Sequence, residues 1–137
     1  MTLQTSLYAS LAAYAGLTAL VGTRIYPVRA PQDVTLPYVV LHRISGVREQ
    51  TITRSVGSTS VRVQASCFSD RYTTDGSNYG ADEVRAQVRA AFLAYVTGSG
   101  GVTIHDLELG TDIDEYEDDT RLFHCITEAV ILAGGDQ

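Results

Sequence analysis

Residues 24–44, Arg24-Ile-Tyr-Pro-Val-Arg-Ala-Pro-Gln-Asp-Val-Thr-Leu-Pro-Tyr-Val-Val-Leu-His-Arg-Ile44, divide this chain into two regimes, and all three of its prolines lie here. Each proline fixes φ, removes a backbone donor and pushes the preceding residue towards extended geometry. The stretch 25–37 therefore reads as a stiff extended crossing, neither a helix nor an inner strand. Pro37 then opens the β-branched run Tyr38-Val39-Val40-Leu41-His42-Arg43-Ile44, and a first strand position tolerates proline. Before residue 24 the pattern is helical; after 38 it is mostly that of strands.

Leu3, Leu7, Leu11 and Tyr14 recur at helical spacing among alanines, with Thr2 placed to cap the helix and Gly16 to stop it. Leu17–Val21 would add a further turn. Beyond the 38–44 strand, Ser45-Gly46 reads as a break, 47–56 as an exposed hairpin arm and Gly57-Ser58 as a turn. Along 59–68, Val61, Val63, Ala65 and Cys67 alternate with Arg62, Gln64 and Ser66, the signature of a half-buried strand. Residues 69–80 read as a polar loop. Val84, Val88, Ala91, Phe92 and Tyr95 mark a second helix, with Arg85, Gln87 and Arg89 facing away from its apolar side and Asn78 as its cap. Gly98 to Gly101 ends it. Residues 102–109 and 122–132 read as strands, joined by an acidic loop over 110–120. These elements predict one α+β domain spanning 1–137: a mostly antiparallel sheet of about five strands, two helices packed on one face, and a protruding hairpin arm.

At 137 residues the chain can bury an ordinary core. No apolar run approaches the ~18 residues of a membrane span, and the lack of any basic residue before Arg24 predicts no secretory signal. The formal net charge of −6 argues against general affinity for nucleic-acid backbone. Eight of the sixteen acids fall between Asp106 and Asp119, the most uneven charge feature of the chain. Cys67 and Cys125 sit in apolar strand-like runs and read as small buried hydrophobes rather than redox groups.

Motifs that would carry catalysis do not form. Gly98-Ser99-Gly100-Gly101 lacks the lysine and context of a phosphate-binding loop. Among His42, His105 and His124, only the pair His124-Cys125 is close in sequence, and adjacent strand residues point to opposite faces. A calcium loop counted from Asp112 places Tyr116 at position 5 and Phe123 at position 12, and fails. No metal or cofactor is expected. The acidic stretch then has two readings, a solvated loop or a charged interface or channel lining, with Asp112, Asp114, Glu117 and Asp118 as lining candidates. Arg48 and Arg54 on the arm, with Arg29 and Tyr26 on the crossing, are candidates for a subunit or tube interface, since Arg and Tyr are enriched at such surfaces.

Several of these features together resemble the tail-completion, or tail terminator, proteins of long-tailed bacteriophages and gene-transfer particles. They are the Leu-rich first helix running into Leu17-Thr-Ala-Leu-Val-Gly22, then Arg24-Ile-Tyr-Pro27, Ala30-Pro31 and Leu36-Pro-Tyr-Val-Val40. The alternating strand at 61–67, the second helix and the late Asp118-Asp-Thr-Arg-Leu-Phe123 follow in order. The resemblance implies a non-enzymatic structural virion protein, a ring of six subunits that caps the tail tube, stops its polymerisation and offers the head-joining surface. Its implied partners are itself, the tail tube protein and a head-side connector, with DNA passing through unbound, at the head-proximal end of a tail assembled in the host cytoplasm. No catalytic residues come with it. The readings standing against it are a head-side connector or adaptor of the same particle, or a small ligand-binding domain.

Overall fold

The computed structural model describes residues 3–50, 55–76, 78–95 and 104–134. In chain order these form α1 (Leu3–Ala13), α2 (Ala15–Val21), β1 (Ile25–Pro27), β2 (Tyr38–Gln50), β3 (Ser55–Ser69), α3 (Ala81–Tyr95), β4 (Ile104–Glu117) and β5 (Leu122–Gly134). The strands make one five-stranded sheet in the order β1-β2-β3-β5-β4. Every pairing is antiparallel except β1 with β2. This is the expected α+β architecture, with a third helix because the first one breaks. Tyr14 adopts an extended conformation between α1 and α2, so the interruption falls before Gly16 rather than at it. The stop comes at Gly22, whose φ of 58° suits a residue without Cβ and whose N–H closes on the Thr18 carbonyl.

The proline-rich crossing behaves as its chemistry requires. Ile25–Pro27 forms only a short edge strand on Val39–Leu41, and Arg24 pins the far end by donating from Nε to the Pro37 carbonyl at 2.9 Å. Strand register then sorts the sheet into two faces. Val39, Cys67 and Cys125 lie in one row, and Gly46, Val61 and Ile131 in another. Their buried members pack with Leu7, Leu11, Leu17, Val88 and Phe92 of the helices in a single core. Both cysteines are free and buried there, and burial pushes both thiols up, Cys125 to about 11.

Four boundaries differ from the sequence expectation. Ser45-Gly46 does not end β2; a bulge between Arg43 and Ser45 absorbs the break and the strand runs on to Gln50. Gly46 lies so close beneath the Arg43 guanidinium that a Cβ there would overlap it. Gly57-Ser58 is not a turn but part of β3. The acidic stretch is not a loop: residues up to Glu117 belong to β4. The connection to β5 is only 118–121, with Arg121 at a φ of 57°. Finally, Asn78 does not cap α3, being bridged to Asp75 instead. The first helical N–H groups are taken by carbonyls of the preceding loop, Ala81 to Arg71 at 2.9 Å and Asp82 to Tyr72 at 3.2 Å. That close approach explains Gly80, where a Cβ would stand 2.3 Å from the Tyr72 carbonyl oxygen. Gly80→Ala should therefore destabilise the fold by about 1–3 kcal/mol through overpacking against backbone, read as a lowered urea midpoint at unchanged m value. The expected glycine end of α3 lies outside the described residues.

Candidate functional site

β4 is one of the sheet's two edge strands, fourteen residues long and largely exposed. A bulge between Leu109 and Asp112 resets its phase. Past it, Asp112 and Asp114 face the helices, while Ile113 and Glu115 face the open side. Here α3 departs from its helical wheel. Arg85, which the pattern turns away from the core, is buried and reaches β4, where it pairs with Asp114 and donates to the Ile113 carbonyl at 3.3 Å. It also donates to Asp82 at 3.1 Å, one turn earlier. One turn later Arg89 pairs with Asp112, which accepts from the Thr127 hydroxyl at 2.8 Å as well. The Tyr72 hydroxyl donates to Asp114 at 2.8 Å. That bond, with the Arg85 guanidinium, holds the Asp114 carboxyl below the usual range. Two of the four candidate lining acids are thus engaged in clamping α3 to β4. The other two, Glu117 and Asp118, sit at the turn with Asp119 and Thr120 around an open depression of about 430 Å³.

The face opposite the helices carries an aromatic row that the sequence reading missed. Tyr38, Phe68 and His124 are in register on adjacent strands. Their rings stack at 4.9 Å and 4.2 Å, and Tyr26 meets Tyr38 edge-on at 6.3 Å. The signal was present as aromatic or imidazole residues on each of these strands, yet only the register aligns Tyr38, Phe68 and His124. His124 Nδ1 lies 3.7 Å from both Glu115 and Glu117. Burial nevertheless dominates and holds the imidazole's proton affinity below its ordinary level. The unfolded chain therefore takes up this proton first as pH falls below about 6.5. The stability contributed by the neutral ring is complete above that pH and is lost as pH falls towards the folded value. Tm should fall between pH 7.5 and 5.5, and His124→Phe should flatten that slope, as thermal melts across the range will show.

Arg29, on the crossing, lines a second open depression of about 340 Å³ with Tyr38, His42, Gln64 and Phe68. Its lining holds no carboxylate to orient His42. Arg48 lies near the exposed end of β2, while Arg54 lies outside the described residues. The interface candidates thus divide between the open face, with Tyr26 and Arg29, and the hairpin, with Arg48. Among the described residues no group of three or more His, Cys, Asp or Glu side chains is placed to hold a metal ion. None of their helices is long and apolar enough to cross a membrane.

A one-sided α+β sandwich, its helices on one face of the sheet and its β4 edge unpaired among the described residues, belongs to the class of domains whose exposed features are strand edges and a flat sheet rather than an enclosed cleft. Over residues 5–131 the sequence matches the family described as tail completion protein gp17, and the chain belongs to that family. It is a structural protein of a phage-type tail. In fold it is similar to a chain of the virion of a native gene transfer agent particle, at 19% identity and a TM-score of 0.67, covering 97% of this chain and 95% of that one. No curated protein matches.

Proposed function

We propose that six copies of this chain form a ring on the head-proximal end of the tail tube, where it stops tube polymerisation and presents the surface that a head-side connector joins. The observation that carries this reading is the family assignment over residues 5–131. The geometry supports a structural rather than a catalytic role, since the depressions are open and the ionisable groups engage one another across elements. The hairpin end of β2 and β3 would reach the tube, and the acidic turn at Glu117 and Asp118 would face the passage. Six copies would carry a formal charge of roughly −36, which would repel DNA phosphate and keep the passage from binding it. Assembly would take place in the host cytoplasm.

The test is mass in solution by light scattering, with and without purified tail tubes, followed by negative-stain imaging of tube ends. Rings in solution, or rings that form only on tube ends and halt growth, support the reading. A monomer that ignores tubes overturns it and moves the role to the head-side connector or to a small ligand-binding domain.

A further inference from the structure

We propose that neighbouring copies join by strand pairing, the outer edge of β4 in one copy against the bare stretch of β2 in the next, so that one sheet continues around the assembly. This rests on the ring reading above and names the contact that would close it.

Both edges are open within the described residues. β1 pairs with β2 only over Val39–Leu41, and from His42 to Gln50 no described strand flanks β2 on that side. At the opposite end of the sheet, β4 has β5 on one side only. Three successive antiparallel pairings from β2 to β4 leave these two strands running in opposite directions. A rotation about an axis along the strands keeps each copy's direction, so the meeting edges are antiparallel and can form an ordinary ladder. Exposed apolar side chains gather on the same two edges: Ile44 and Val47 on β2, Leu109, Ile113 and Tyr116 on β4. A long exposed edge of this kind is a hazard unless it is defended or used.

Charge selects the partner. The β2 stretch bears Arg43 and Arg48 with one acid, Glu49, whereas β4 bears Asp106, Glu108, Glu115 and Glu117 besides the two acids already paired with α3. Two β4 edges laid together would oppose acid to acid, which disfavours a two-fold contact. β4 against β2 opposes acid to arginine. The register supports this: Asp106 lies in the row of Val47, and Glu108 in the row of Ser45. A neighbour at equal height thus brings both acids alongside the arginine-bearing stretch. Contacts between unlike edges are heterologous, the type that closes into rings.

Complementary charge reversal tests this. Val47→Glu with Arg48→Glu makes both edges of the chain acidic; Asp106→Arg with Glu108→Arg makes the facing stretches basic. All four side chains are exposed. Under conditions where the parent chain forms rings, each variant alone should remain monomeric by light scattering. An equimolar mixture should recover assemblies in which the two alternate, with an even number of subunits by native mass spectrometry. Rings from either variant alone, or a mixture that stays monomeric although both variants keep the parent's circular dichroism and Tm, overturn the edge contact and leave the ring standing. If the first variant does not fold, Arg48→Glu alone replaces it. A parent chain that forms no ring, alone or on tubes, removes both inferences.

Discussion

A chain in which residues 49–58 are replaced by Asn-Gly is expected to fold, to form rings and to leave tail tubes growing past their normal length. Arg48 and Thr59 are direct partners across the β2–β3 ladder. A two-residue Asn-Gly loop is the connection that such a pair accepts, because its type I′ turn matches strand twist. The excised tip lies almost wholly beyond the three-stranded part of the sheet: β3 gains its second partner only from Ser58 onward, opposite Gly134. Tm should therefore move by no more than a few degrees. The tip also outruns the rest of the sheet, with β2–β3 pairing continuing to Gln50 opposite Ser55, and it carries Arg54. Of the β2 stretch proposed to meet the neighbouring copy, all but Glu49 and Gln50 is retained, both arginines included, so this variant separates tube contact from subunit contact. Tube length measured by negative stain decides it. A folded variant that still halts growth at normal length would show that the tip is not the tube contact.

What the sequence disclosed followed physical rules with a short reach. The prolines at 27, 31 and 37 excluded helix, and α3 begins where apolar spacing placed it and carries the spaced residues Val84 to Tyr95. Alternation along 61–67 assigned faces correctly because side-chain direction in a strand depends only on parity. What it concealed depends on partners far away in the chain. Asp and Glu are poor strand formers in isolation, so 110–117 read as a loop. The strand is stabilised by its ladder with β5 and by Arg85 and Arg89 meeting Asp114 and Asp112. Those arginines looked solvated for the same reason, since a helical wheel shows the apolar stripe but not what lies beside it. Ser45-Gly46 misled because a bulge and a break use the same residues, and only the β3 register distinguishes them. The Tyr38–Phe68–His124 row needs three strands in register before it exists at all.

The same geometry divides the four acidic candidates, and the division has measurable consequences. Asp112→Asn with Asp114→Asn should destabilise the protein while leaving DNA passage unchanged. Each substitution removes the anion that an α3 arginine meets. Arg85 is the more demanding of the two, since its side chain is only 8% exposed and retains Asp82 as its remaining charged partner. Asp114 and Arg89 are partly solvated, so the loss is discounted to about 2 kcal/mol for the pair, or a Tm lower by about 5–10 °C in a chain of this size. Glu117→Gln with Asp118→Asn should do the reverse. These side chains surround an open depression at the β4–β5 turn, so Tm should stay within about 2 °C. If the turn faces the passage, however, removing two charges per subunit weakens the repulsion that keeps phosphate from adhering. DNA release from assembled particles should then slow, by an amount that grows as ionic strength is lowered, because screening shortens the reach of the lost repulsion. Ejection kinetics at two salt concentrations, with melting curves for both variants, tests both halves. Unchanged release in the turn variant removes the acidic turn from the passage. Unchanged stability in the strand variant means that the arginine clamps on β4 do not hold α3.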